Sequence, residues 1–151
     1  MSQDEKVQAI IDTRDYETEK FLLIMTEKGT IKKSAFKDFD SNYKSLQAIK
    51  LKDDDKVVSV KTTSGTEDVI LVSRKGQAIR FDENNLKPQG RTAMGVRGIK
   101  LREGDKVVGA ATSRDETLLF ITAKGYGKRT NLDEFRKAGR GGMGVKALKV
   151  T

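Results

Sequence analysis

The sequence predicts an all-β fold of the propeller type, built from blades of four antiparallel strands. Lys-Gly pairs recur at residues 28, 75 and 124, which lie 47 and 49 positions apart. Each pair follows an apolar run and precedes a short basic segment. The runs are short, β-branched and bounded by turn residues, and no window keeps a 3.6-residue period. A repeat of roughly 40–50 residues with four strands is typical of propeller blades.

The first two strands of each unit form a predicted hairpin. In the first unit FLLIM (21–25) and TIKKS (30–34) flank a turn in which Gly29 takes the position that needs positive φ. VILVS with QAIRF, and LLFIT with YGKRT, repeat this arrangement. The segments SAFKDFD and LDEFRKA, which follow second strands, are predicted to form single helical turns.

The other two strands of the unit are also copied along the chain. Copies of the third strand are SLQAIKL (45–51), GVRGIKL (95–101) and GVKALKV (144–150), and copies of the fourth are DDKVVSVKTT (54–63) and GDKVVGAATS (104–113). We expect the third and fourth strands of a unit to pair as a second hairpin. Residues 2–15 align with the fourth-strand copies and are predicted to end a preceding blade.

The chain is therefore predicted to be one partial propeller domain. Its parts are the end of a blade at residues 1–19, blades at 20–67 and 68–116, and a partial blade at 117–151.

The composition excludes several classes of site. The 151 residues include no Cys and no His, so thiolate or histidine catalysis and Cys or His metal sites are excluded. The polar, acidic N-terminus is unlike a signal peptide, and no apolar run has the length of a membrane span. We expect a soluble cytoplasmic protein with no membrane partner and no cofactor.

Positive charge is concentrated in the second part of the chain. Residues 1–67 hold 12 Lys and Arg against 13 Asp and Glu, whereas residues 68–151 hold 18 against 9. Basic residues recur at equivalent positions of the repeat. One such column in the second strand consists of Lys33, Arg80 and Arg129. The third strand has two columns, one of Gln47, Arg97 and Lys146 and one of Lys50, Lys100 and Lys149. Alternation with apolar positions predicts one solvated face per strand. These cations either bind a polyanion such as DNA or only solubilise exposed strands.

A glycine-rich loop precedes the third strand in two units. GRTAMGV (90–96) and GRGGMGV (139–145) share the pattern G-R-x-x-M-G-V. Gly139, Gly141 and Gly144 also fit the dinucleotide pattern G-x-G-x-x-G, but a β-patterned segment follows them instead of a helix. Nucleotide binding is therefore rejected. The loop is instead predicted to bring Arg91 or Arg140 close to a phosphate backbone.

The motifs GVRGIKLREGDKVV and GYGKRT, with the Gly-Arg loops, resemble the C-terminal domain of the bacterial DNA gyrase A subunit. The resemblance implies a six-bladed β-pinwheel whose blades exchange strands, of which this chain holds about half. The family's box, Q-[KR]-R-G-G-[KR]-G, is only partly matched by GRGGMG, because Ala138 and Gly139 replace the Gln-basic pair and Met143 replaces a basic residue.

The resemblance implies a non-catalytic module that wraps double-stranded DNA and directs negative supercoiling. Its partners would be the rest of the gyrase A protein and the gyrase B protein, on the bacterial nucleoid. Neither the DNA-cleaving tyrosine nor the ATPase is expected in this chain. The residues predicted to contact DNA phosphates are Lys33, Arg80, Arg91, Arg97, Lys128, Arg129, Arg140 and Lys146.

Three alternatives or additions stay open. The domain could belong to the topoisomerase IV A subunit, or could be a propeller used for protein interaction. Two copies of the chain could also associate to complete a ring, because half a ring exposes strand edges.

Overall fold

A computed structural model describes residues 6–11, 20–40 and 42–148, and it confirms an all-β fold. The strands of these residues are β1 (Phe21–Thr26), β2 (Thr30–Ala35), β3 (Val57–Thr63), β4 (Asp68–Ser73), β5 (Gln77–Asp82), β6 (Val96–Arg97), β7 (Val107–Thr112), β8 (Thr117–Ile121), β9 (Gly127–Asn131) and β10 (Val145–Lys146). Three 3₁₀ turns follow the second strands, at Phe36–Phe39, Glu83–Asn85 and Leu132–Glu134. The two single turns predicted from the sequence are confirmed.

The strands form three antiparallel sheets. The first has the order β3-β1-β2-β6, the second β10-β5-β4-β7, and the third consists of β8 and β9. All three predicted first-to-second-strand hairpins are present. Gly29 has φ +92°, as the turn requires, because a side chain at positive φ would strain the backbone.

Each four-stranded sheet borrows a strand from the next unit. Strand β6 pairs with β2 through Thr30–Arg97 and Ile31–Val96, and β10 pairs with β5 through Ala78–Val145 and Gln77–Lys146. The exchange links units that are about 50 residues apart in sequence.

The predicted pairing of third with fourth strands is wrong. Strand β3 pairs with β1, and β7 pairs with β4, so each fourth strand lies against the first strand of its own unit. Residues 45–51 belong to no strand. The reason is that a third strand satisfies its backbone in the preceding unit, which leaves the fourth strand to close its own sheet.

The main core lies between the first two sheets. Leu23, Ile31, Leu71 and Phe81 are completely buried in one cluster with Ile99, which follows the exchanged strand β6. Because Ile99 comes from the second unit and packs on side chains of the first, strand exchange and core packing stabilise the same junction between units.

The N-terminal segment is described only in part. Residues 6–11 are in no strand, and residues 6–10 are exposed; the remainder of the predicted first blade end, residues 1–5 and 12–19, lies outside the described residues. The division of the chain into blades stays a prediction. In the described part of the chain, no helix is long and apolar enough to cross a membrane.

Candidate nucleic-acid interface

Lys33 does not lie on a solvated face, and that prediction is wrong. Its side chain is 3% exposed, and its Nζ lies 3.0 Å from a carboxylate oxygen of Glu83. The same ammonium lies 4.1 Å from the centre of the Phe21 ring. Glu83 also accepts hydrogen bonds from the Thr63 hydroxyl and the Glu67 backbone. Groups of the second unit pack on the side chain of Lys33, so this cation is buried and not exposed to solvent.

The guanidinium of Arg80 forms hydrogen bonds with other groups of the protein. Its Nε donates to Asp68 at 2.9 Å, and Nη1 donates to the carbonyls of Leu132 at 3.0 Å and Phe135 at 3.3 Å. Burial by itself would raise the pKa of Asp68, but hydrogen bonds and charges from Lys137 and Arg80 outweigh it and hold that pKa below its ordinary value. Arg80 therefore ties the second unit to the third.

The basic column of the second strand connects neighbouring units. Lys33 Nζ lies 3.4 Å from the carbonyl of Glu83, and Arg80 contacts the carbonyl of Leu132. Both carbonyls begin the 3₁₀ turn of the following unit. Arg129 is the third member of the column; it is exposed, and its Nε donates to the Thr117 hydroxyl. The repeated cations that were predicted to bind DNA thus serve inter-unit contacts at two of three positions.

The Gly-Arg loops bring exposed cations of adjacent units together. Arg140 Nη1 donates to the carbonyl of Arg97 at 2.7 Å, and the backbone of Gly141 donates to Gly98. The backbone of Lys100 donates to Gly142. We call Arg97, Lys100 and Arg140 the loop patch. All three are exposed, and within the described ranges none forms an ion pair with a carboxylate.

The remaining predicted residues have separate positions. Lys146 occupies in β10 the place that Arg97 has in β6, one unit earlier, and is exposed. Lys128 is exposed on β9 opposite Phe120. Arg91 is half-buried in the first Gly-Arg loop. Among the described residues, no cluster of Asp and Glu could hold a metal ion.

Sequence reasoning missed Lys32, which anchors the first Gly-Arg loop. Its side chain is buried, and Nζ donates to the carbonyls of Arg91 at 2.7 Å, Gly90 at 3.0 Å and Ala48. Burial, with a smaller contribution from Arg91, lowers the pKa of Lys32 to about 8, although Asp38 opposes the shift. The signal was present in the sequence, because two consecutive lysines in a strand point to opposite faces.

The shifted pKa of Lys32 predicts a pH-dependent stability. The unfolded chain holds this proton up to about 10.5, whereas the folded chain loses it near 8. The unfolded state therefore binds more protons between these values, and stability should rise with pH there. We expect the free energy of unfolding of the wild type, minus that of Lys32→Met, to increase by about 2 kcal/mol from pH 7.5 to pH 10. Urea titrations at both pH values measure this difference, and a constant difference would contradict it.

Most of the chain matches a known protein family. A family model described as the DNA gyrase C-terminal domain, beta-propeller, matches residues 20–64, 67–114 and 116–151. The DNA gyrase A subunit of Staphylococcus aureus (strain NCTC 8325 / PS 47) is 42% identical over 111 residues, which are 72% of this chain and 12% of that protein. The protein of strain COL gives the same values.

Two solved structures resemble the fold closely. The C-terminal domain of DNA topoisomerase IV has a TM-score of 0.88 and 36% identity, covering 97% of this chain and 46% of that one. The DNA gyrase A C-terminal domain has a TM-score of 0.85 and 32% identity, covering 96% and 49%. The chain thus spans about half the length of these two structures.

Proposed function

We propose, from the premise that this chain belongs to the DNA gyrase C-terminal domain family of β-propellers, that it binds duplex DNA along an exposed basic surface. The loop patch carries this proposal, because it joins cations of two successive units without neutralising carboxylates. Spaced cations suit a DNA backbone, whose phosphates recur along the duplex and need no base readout.

The proposed contacts are the exposed members of the predicted set together with the half-buried Arg91. Arg97, Arg140 and Lys146 lie at the exchanged strands and their loops, Lys128 and Arg129 lie on β9, and Arg91 lies in the first Gly-Arg loop. Lys33 and Arg80 would support DNA binding indirectly, because they hold together the units that carry these cations.

In the parent enzyme we expect the chain to be a DNA-wrapping module without catalysis of its own. It would act with the rest of the gyrase A protein and with the gyrase B protein, on the bacterial nucleoid in the cytoplasm. Bending DNA along the basic surface would direct negative supercoiling.

A second candidate is the same module in topoisomerase IV, favoured by the TM-score of 0.88 to that enzyme's C-terminal domain. The two candidates differ in whether the parent enzyme introduces negative supercoils. A supercoiling assay of the parent enzyme on relaxed plasmid decides between them.

Charge reversal in the loop patch should weaken DNA binding for every sequence alike. We expect Arg97→Glu and Arg140→Glu each to lower the affinity for a 40-base-pair duplex roughly tenfold at about 0.1 M salt, since each lost phosphate contact removes close to one unit of log-log salt slope. Fluorescence anisotropy over a range of salt concentrations measures both the affinity and the slope.

Two control variants test whether phosphate contacts at the loop patch carry the affinity. Arg97→Lys keeps the charge and should keep most of the affinity. Arg102→Glu reverses an exposed cation in a turn that also contains Glu103 and Asp105, and should change affinity much less. An affinity independent of salt would reject the proposal and favour a propeller that binds protein.

A further inference from the structure

Lys32 holds a tight turn of the first Gly-Arg loop. Its side chain is buried, and its Nζ donates to the carbonyls of Gly90 at 3.0 Å and Arg91 at 2.7 Å. The backbone of Ala93 donates to the same Gly90 carbonyl at 3.2 Å, so Arg91 lies at the second position of a four-residue turn. The ammonium thus binds the two carbonyls that flank the Cα atom of Arg91, and these contacts fix the direction in which that side chain leaves the backbone.

The strand itself does not need a cation at this position. The repeat aligns Lys32 with Ile79 of the second unit, and both residues are 1% exposed. In the second Gly-Arg loop the backbone of Gly141 donates to the carbonyl of Gly98. The equivalent carbonyl of the first unit, that of Ala48, is bound by Lys32 Nζ. Because isoleucine satisfies the packing of the strand, the ammonium of Lys32 has a separate role at the loop.

Only the charged form of Lys32 can bind all three carbonyls. An ammonium has three N–H donors, whereas a neutral amine has two donors and a lone pair that would face the third carbonyl. Hydrogen bonds from a charged donor are also stronger than those from a neutral one. Loss of the proton should therefore loosen the turn and with it the orientation of Arg91.

We propose that Lys32 is a positioning residue for DNA binding, whose ammonium holds the turn at residues 90–93 so that Arg91 meets a phosphate. This inference rests on the proposed function, because the ligand of Arg91 is the duplex. Arg91 is half-buried, so its side chain has fewer orientations than that of an exposed arginine. Lys32 acts only through the turn, since its own ammonium is enclosed by carbonyls of the protein.

Two charged groups act on the ammonium of Lys32 from neighbouring elements. Burial and the guanidinium of Arg91 lower the pKa of Lys32 to about 8, whereas Asp38, in the 3₁₀ turn after β2, opposes the shift. A phosphate beside Arg91 would offset the charge of that guanidinium and favour the protonated form of Lys32. DNA binding should therefore take up a proton, and by linkage the affinity should fall as the pH rises through about 8. The stability of the chain should rise over the same range, so the two properties change in opposite directions.

A double-mutant cycle at neutral pH tests the positioning role. By fluorescence anisotropy with the same duplex, we expect Lys32→Met and Arg91→Met each to lower the affinity roughly threefold at about 0.1 M salt, since each loses one phosphate contact. The double variant should bind no more weakly than Arg91→Met, because Lys32 acts through Arg91. Lys56→Met removes the charge of an exposed lysine before β3, and its effect should add to that of Arg91→Met. Additive losses from Lys32→Met and Arg91→Met would overturn the proposal.

The pH profile is a readout that a purely structural role would not produce. The affinity of the wild type relative to Lys32→Met should fall toward one between about pH 7 and about pH 9.5, and the α-amino group, which also titrates there, is common to both proteins. Asp38→Asn removes the carboxylate that raises the pKa of Lys32, so the midpoint of the wild-type profile should move to lower pH. This shift needs no substitution of Lys32 and gives the same test if Lys32→Met does not fold. A ratio independent of pH, or a midpoint that Asp38→Asn leaves unchanged, would overturn the proposal.

The same measurements separate the positioning role of Lys32 from DNA binding itself. A wild type that shows no salt-dependent binding at neutral pH would reject both proposals. Salt-dependent binding by the wild type that Lys32→Met leaves unchanged would reject the role of Lys32 alone. An affinity that falls with pH while the free energy of unfolding rises would support both.

Discussion

Replacing Glu83 with alanine is expected to destabilise the protein by about 3–5 kcal/mol, because it leaves the ammonium of Lys33 buried and unpaired. The Lys33 and Glu83 side chains are 3% and 0% exposed and lie 3.0 Å apart. The substitution also removes the acceptor of the Thr63 hydroxyl and of the Glu67 backbone, and unsatisfied buried donors add to the cost. Urea unfolding followed by circular dichroism measures the change.

A double-mutant cycle separates this pair from general damage to the fold. Lys33→Met should also destabilise, since it leaves the carboxylate of Glu83 without its cation. The double variant Lys33→Met with Glu83→Gln should cost much less than the sum of Lys33→Met and Glu83→Gln measured singly. Asp133→Ala is the matched control, because that carboxylate lies 4.0 Å from Arg80 but is fully exposed, and little change is expected. Additive effects of the two buried substitutions would show that no coupled pair exists.

Replacing Gly95 or Gly144 with alanine is expected to destabilise by more than about 2 kcal/mol, since both have positive φ and lie against backbone. Their φ values are +87° and +73°. A Cβ on Gly95 would lie 2.7 Å from the carbonyl oxygen of Ile31, and one on Gly144 would meet the carbonyl of Ala78. These carbonyls belong to β2 and β5, so the substitutions push away the exchanged strands β6 and β10.

The same loops provide matched controls. A Cβ on Gly90 or Gly139 would meet nothing within 4 Å, and neither residue has positive φ. Gly90→Ala and Gly139→Ala should therefore be neutral or slightly stabilising, because alanine reduces the entropy of the unfolded chain. Thermal unfolding of the four variants makes the comparison. Equal effects at Gly90 and Gly95 would disprove the steric explanation.

Strand exchange therefore explains why the motif needs its last glycine, without reference to a ligand. The pattern G-R-x-x-M-G-V predicts a loop that approaches another group closely, and that much could be inferred from the sequence. The group approached by its last glycine is the backbone of the preceding unit, about 65 residues earlier in the chain, as the Gly95 contact with Ile31 shows. The arginine of the motif is exposed in the second loop, as Arg140, and half-buried in the first loop, as Arg91.

The basic columns show that strand periodicity does not predict which basic side chains are exposed. The repeat aligns Lys33 with Arg80 and Arg129, and this column was expected on a solvated face, as in a strand whose sheet has one side in water. Strand β2 has a neighbouring strand on each side, and the second unit packs on it, so both Lys32 and Lys33 are buried. Which basic residues stay exposed depends on how the units stack.

The repeat, the all-β class, the hairpins around the Lys-Gly turns and two of the 3₁₀ turns could be predicted from the sequence, since all of these depend on residues close together in the chain. Three features became visible only in the folded chain: third strands cross to the preceding unit, Lys33 pairs with Glu83, and Arg140 contacts Arg97 at the surface. These contacts join residues 43–69 positions apart, and every strand edge offers similar backbone donors and acceptors. The observed pairing is favoured because it buries the shared core around Ile31 and Ile99. The free energy of this burial comes from contacts between two units, so it cannot be read from one repeat alone.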